Sequence, residues 1–223
     1  MSDGPRALRL PLDAAAVRAL AVGDAVTLSG EITISIGLPA HARLAEDVRA
    51  GRAPPVDLRG GAFFHLSAYV VDGSGGAAPR ALYMNPSTST RYNPFMPDII
   101  RGLGLRLAGG KGGLDAASVA AMREAGCAYL SFLGGGATLL SESIRAVVAT
   151  HWNEYISQFR LTTLRVENLG PAIVAIDAHG NSVYQSLREQ ADTRLPRILE
   201  ALAAQRERDL AAALPRDTQE ENR

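Results

Sequence analysis

An α/β fold is predicted for this chain on three observations. The second half alternates strand-like and helical segments in the manner of crossover units. The first half carries aromatic and β-branched residues at 63–71, a glycine-rich turn, and a second strand-like run at 81–84, which together read as a hairpin or meander. Finally, 223 residues with 47% apolar content can bury a core without disulfide support. Residues 1–204 read as one domain, and 205–223 as a charged, disordered tail lacking periodic apolar positions.

Leu8, Arg9 and Leu10 make a brief first strand. Asp13 can cap a short helix at 14–20, because its carboxylate accepts from the open N–H groups of a first turn. Gly23 and Asp24 then turn the chain into an apolar strand at 25–35. Pro39 suits the first turn of a helix reaching residue 50, where its missing N–H is no loss, and Gly51 stops it. His41 falls in that first turn. After the hairpin, 94–103 reads as a short helix and 105–108 as a strand. Asp115 caps a helix whose Val119 and Met122 share a face before Gly126 ends it. Residues 127–133 form a buried strand, and Gly134-Gly135-Gly136 opens a helix at 138–148. Strands at 162–167 and 172–177 flank a Gly170-Pro171 turn, and a helix at 183–204 closes the domain.

Composition removes several classes of function. Basic and acidic residues balance at 23 each, so the long-range positive field of a nucleic-acid binder is missing and anion recognition must be local. No apolar run approaches the ~18 residues of a membrane-spanning helix. The single cysteine, Cys127, rules out an internal disulfide and, with a start that lacks an apolar signal core, points to the cytoplasm. One thiol also cannot hold an iron-sulfur cluster, which takes several thiolates.

Two segments suggest half of an acid-binding site. Asn85-Pro86-Ser87-Thr88-Ser89-Thr90-Arg91 is a hydroxyl-rich turn ending in a guanidinium, and Gly109-Gly110-Lys111-Gly112-Gly113 offers an ammonium where the backbone can approach a ligand closely. Taken alone, the first is also an ordinary serine and threonine turn. The second is not a nucleotide P-loop, because Gly112 follows the lysine where that motif needs a serine or threonine. Gly134 to Gly136 fits either an anion at a helix start or close packing of that helix. His151 and Glu154 have no second histidine in reach to complete a zinc site, and His65 lies within an apolar strand.

In their shared order these segments resemble the β subunit of tartrate dehydratase and the C-terminal domain of class I, iron-sulfur fumarases. The likeness includes Ala40-His41-Ala42-Arg43-Leu44, the two segments above, His151-Trp152, Val166-Glu167-Asn168-Leu169-Gly170-Pro171 and Ile176-Asp177-Ala178-His179-Gly180-Asn181. It implies a swivelling β/β/α domain that closes over a cluster-bearing α-type partner holding a 4Fe-4S cluster, with none bound by this chain alone. It further implies a hydro-lyase acting on a small hydroxy carboxylic acid. Ser87 and Thr88 match the family's adjacent loop hydroxyls, one of which transfers a proton; Arg91, Lys111 and His41 match its substrate-binding groups.

One departure stands out. The family's arginine-aspartate pair before the histidine is replaced here by Gly37-Leu38-Pro39-Ala40-His41, which implies a substrate other than plain fumarate, malate or tartrate, with Ile36 or Leu38 as an apolar wall. The alternative is a noncatalytic binding or assembly protein that keeps the fold. A homodimer is the expected self-association of the isolated chain.

Overall fold

A computed structural model describes residues 4–73, 75 and 77–213. The chain divides after Val183 into two compact units. In the first, β1 (Arg6–Arg9) precedes α1 (Ala14–Arg18), whose N-terminus is closed by Asp13 accepting from Ala16 N–H at 2.7 Å. β2 (Ala25–Ile34) leads to α2 (Leu38–Arg49), which carries its proline in the first turn. β3 (Ala62–Phe64) and β4 (Leu66–Val71) follow, then β5 (Arg80–Pro86), a 3-10 turn (Ser89–Tyr92) and α3 (Met96–Leu103). Next come β6 (Leu107–Gly110), α4 (Ala116–Ala125), β7 (Ala128–Phe132), α5 (Ala137–Glu142), β8 (Ile144–His151), a second 3-10 turn (Ser157–Phe159) and β9 (Leu161–Ile176).

The seven-stranded sheet has the order β1-β2-β3-β6-β7-β9-β8, and an added β2–β9 pairing closes β2, β3, β6, β7 and β9 into a ring. Strands β1, β2, β3, β6 and β7 run parallel, whereas β9 is antiparallel to each of its neighbours. Inside lie Leu28, Ile32, Phe64, Leu107, Leu130, Phe132, Leu164 and Val174. Helix α3 packs between α2 and α4, while β4 and β5 form a separate two-stranded sheet covered by α5 and the second 3-10 turn. The expected α/β class and hairpin are therefore present.

Four expectations need correction. The run at 63–71 is not one strand: at His65 the chain leaves the large sheet and enters the small one. The expected helix at 138–148 stops at Glu142, and Ile144–His151 is strand β8 paired with β9. Gly170-Pro171 does not separate two strands. Leu28 pairs with Leu169 and Val26 with Ala172, so the extra residue on β9 is a bulge within one strand, and the proline's missing N–H falls there. The closing helix, α6 (Val183–Ala213), runs past the expected end at residue 204. Alanine, leucine, arginine and glutamate favour helix there, and Gln205 Nε2 donates to Asp209 Oδ1 one turn on. The remainder of the expected tail, 214–223, lies outside the described residues. Among the described residues no helix is long and apolar enough to cross a membrane.

Candidate active site

Strands β2, β3 and β6 end at Ile34, Phe64 and Gly110, so Ile36, His65 and Lys111 emerge just beyond the carboxyl ends of parallel neighbours. That edge is where α/β sheets leave groups available to a ligand. A chain of backbone hydrogen bonds assembles it. His65 N–H donates to Gly109 O (2.7 Å), Ser87 N–H to His65 O (2.8 Å), Lys111 N–H to Ser87 O (2.9 Å) and Ser89 N–H to Lys111 O (2.8 Å). The hydroxyl loop and the lysine are thus bound to each other through their main chains.

The glycines of 109–113 serve two purposes. Gly109 is buried at a close crossing, where an added Cβ would lie 2.8 Å from Leu130 O and 2.9 Å from Phe64 Cδ1. Gly110 is buried as well, so the run packs tightly first and presents its lysine only afterwards.

Ser87, Thr88, Arg91 and Lys111 line one open cleft of about 280 Å3. Ile36, Ser67, Tyr83, Asn85 and Pro86 complete its wall. Among the described residues, neither Arg91 nor Lys111 is in an ion pair. Guanidinium, ammonium and hydroxyl groups so placed are the donors that a carboxylate can bind. Lys111 leans toward the glycine turn, since a Cβ on Gly134 would be 3.5 Å from its Cδ and 4.0 Å from its Nζ. Helix α5 beyond that turn has only 6 residues, which favours packing over a dipole-based anion site.

His41 is placed behind the cleft and not on its wall. Its residue is fully buried, Nδ1–H donates to Gly37 O at 2.7 Å, and the ring stacks on Tyr92 with centroids 4.0 Å apart. Burial lowers its pKa to about 4, against a smaller raising effect of the Gly37 bond, so the ring is neutral near pH 7. Tyr92 donates its hydroxyl hydrogen bond to Ile36 O at 2.9 Å, linking the wall residue to the loop. Burial raises the Tyr92 phenol, opposed by a hydrogen bond with Ser87 and by the charge of Arg91. Below the loop, Ser89 Oγ bonds with both His65 Nδ1 (2.8 Å) and Tyr129 Oη (2.7 Å). Burial, helped by nearby His41, lowers the His65 pKa well below its ordinary value.

Sequence reasoning missed Ser67 and Tyr83 on the wall. The available signal was strand alternation: Tyr83 and Asn85 share a face of β5, Ser87 follows its end, and Ser67 pairs with Asn85.

The donor set does not fit an iron-sulfur cluster. Cys127 is fully buried, burial pushes its thiol up to about 12, and no group of three or more metal-binding side chains gathers among the described residues. A larger groove of about 670 Å3 lies over Arg9, Gly30, Arg59 and Arg145. Its charge is mixed, because Glu31, Asp57 and Glu167 line it beside its arginines and hold two of them, Arg145 and Arg165, in ion pairs.

The family described as Fumarase C-terminus matches residues 6–187. The L(+)-tartrate dehydratase subunit beta of Escherichia coli (strain K12) is 29% identical over 195 residues, which cover 87% of this chain and 94% of that protein. A Geobacillus stearothermophilus protein named for fumarate hydratase class I is 31% identical over 194 residues, covering 86% of this chain. This chain spans only 36% of that longer relative.

Proposed function

The chain belongs to the Fumarase C-terminus family, and on that premise we propose that it is the β-type subunit of a hydro-lyase. The reaction is reversible addition of water to an unsaturated carboxylic acid, carried out in the cytoplasm with an α-type partner. The observation that carries this reading is the cleft in which Lys111 and Arg91, both without carboxylate partners among the described residues, meet Ser87 and Thr88.

Elimination of water requires a proton to leave the carbon next to a carboxylate while the hydroxyl departs from the adjoining carbon. Negative charge then spreads onto the carboxylate, where the Lys111 ammonium and Arg91 guanidinium stabilise it more strongly than they stabilise the ground state. Ser87 or Thr88, acting as the alkoxide beside the two cations, takes that proton in dehydration and as the hydroxyl returns it in hydration. His41 takes part as a support: stacked on Tyr92, it holds the loop against the β2–α2 turn. The partner's 4Fe-4S cluster would supply a Lewis acid for the departing hydroxyl. This chain's residues contribute the carboxylate clamp and the proton carrier.

Position 37 is glycine, so the clamp has no cation from the β2–α2 turn, and the substrate differs from plain fumarate or tartrate. The test is turnover of a panel of hydroxy and unsaturated acids by this chain assembled with a cluster-loaded α-type protein. Hydration or dehydration that requires both chains supports the reading. Ligand binding without any turnover would instead mark a noncatalytic protein. Ser87→Ala and Thr88→Val, compared at saturating substrate, separate the two hydroxyls by which one lowers kcat.

A further inference from the structure

The cleft changes character along its length. Tyr83 and Asn85 on β5 and Ser87 just past its end all line it, spread over about 13 Å of extended chain. Both cations belong to the Ser87 end, where Lys111 is bound to Ser87 through the backbone and Arg91 follows in the same loop. The far end is the aromatic ring of Tyr83, whose hydroxyl accepts from Gln158 Nε2 at 3.4 Å. Between them, Asn85 Oδ1 is buried with no hydrogen-bond partner among the described residues, an acceptor suited to a ligand hydroxyl.

The flank formed by the β2–α2 turn is apolar and tightly packed. Ile36 lines it, and a Cβ added to Gly37 would lie 2.7 Å from Phe159 Cβ and 2.8 Å from Phe159 O. That neighbour is held in place, because Ser35 Oγ donates to Phe159 O and Ile36 N–H to Gln158 O, both at 3.2 Å. No larger residue fits at position 37 without moving the second 3-10 turn. A second carboxylate directed onto this flank would lose water there, and the described residues lining the cleft offer it no cation beyond Lys111 and Arg91.

We infer that the preferred ligand is an elongated monocarboxylate. Its carboxylate sits at Lys111 and Arg91, a hydroxyl or other donor at Asn85, and a neutral alkyl or aryl end against Ile36 and Tyr83. The chemistry of this ligand rests on the hydro-lyase reading, but the selectivity is measurable by binding alone.

The probes are fumarate and monoethyl fumarate, which share a carbon frame and differ in the charge and length of one end. Equilibrium binding is measured by calorimetry on the full chain and on the assembled complex. Monoethyl fumarate is expected to bind about 10-fold tighter than fumarate, and Tyr83→Ala to reduce that margin several-fold, whereas Tyr83→Phe keeps it. Tighter binding of fumarate, an unchanged margin in Tyr83→Ala, or no binding of either acid overturns the inference. Turnover addresses the other reading. Monoester-selective binding without turnover contradicts the hydro-lyase and leaves this inference standing, while turnover with fumarate-selective binding does the reverse.

Discussion

Lowering the pH from 7 to 5 should remove about 2 kcal/mol of folding stability through His41 alone. The ring is fully buried, touches Phe63, His65 and Tyr92, and has its pKa lowered from 6.5 to about 4 chiefly by desolvation. Below pH 6.5 the unfolded chain binds a proton that the folded chain refuses. Stability is therefore complete above that value, declines as pH falls toward about 4, and loses nothing further from this group below it. The whole interval corresponds to about 3 kcal/mol, of which about 2 is lost by pH 5. His65 acts in the same direction, so the two rings must be separated. Urea unfolding of wild type and His41→Gln at pH 7 and pH 5, at constant ionic strength, does this. The variant is less stable at pH 7 but should lose about 2 kcal/mol less than wild type on acidification. Equal losses in the two proteins would show that His41 is not held neutral by burial.

Gly109→Ala should destabilise the protein by about 1–3 kcal/mol, since its methyl meets Leu130 O, Phe64 and Phe132 within a packed sheet; denaturant unfolding reads this directly. Arg43→Ala should cost less than about 1 kcal/mol, even though Arg43 pairs with Glu154 at 2.8 Å and covers Trp152 at 4.7 Å. The reason is solvent: the two side chains of that ion pair are 45% and 58% exposed. High salt should reduce the effect of Arg43→Ala further.

Caps and stops were legible in the sequence because each is a local contest. Asp13 and Asp115 accept from the N–H groups of Ala16 and Ser118, and Gly51 and Gly126 follow α2 and α4 in the left-handed region. β8 was not legible, for a reason visible in its pairing. Register shifts between Ile144 and Ala146 and between Val147 and Ala149 let Ile144 and Val147, three residues apart, both pack on the core. Three-residue spacing of apolar side chains is also a helix signature, so the bulges made a strand resemble a helix. His65 likewise sits in an unbroken apolar run, and only the switch of partners from Gly109 to Ser87 divides that run between two sheets.

The candidate site was legible as residue types and not as a shape. The hydroxyl loop and the lysine stand out by composition, but their joining depends on main-chain bonds that no local pattern encodes. His41 shows the converse. Its position in a first helical turn was readable, while its full burial against Tyr92 depends on α2 packing over the loop. Tyr83 and Ser67 escaped notice because alternation groups residues on one face of a hairpin without saying which face borders a cleft.

The most direct measurement is kcat/KM of the assembled enzyme carrying Lys111→Ala or Arg91→Ala, with circular dichroism confirming an unchanged fold. Each charge-assisted hydrogen bond to a carboxylate contributes about 1.5–3 kcal/mol, so each substitution should lower kcat/KM by about 10- to 100-fold. Wild-type efficiency in both variants would contradict a carboxylate clamp in this cleft.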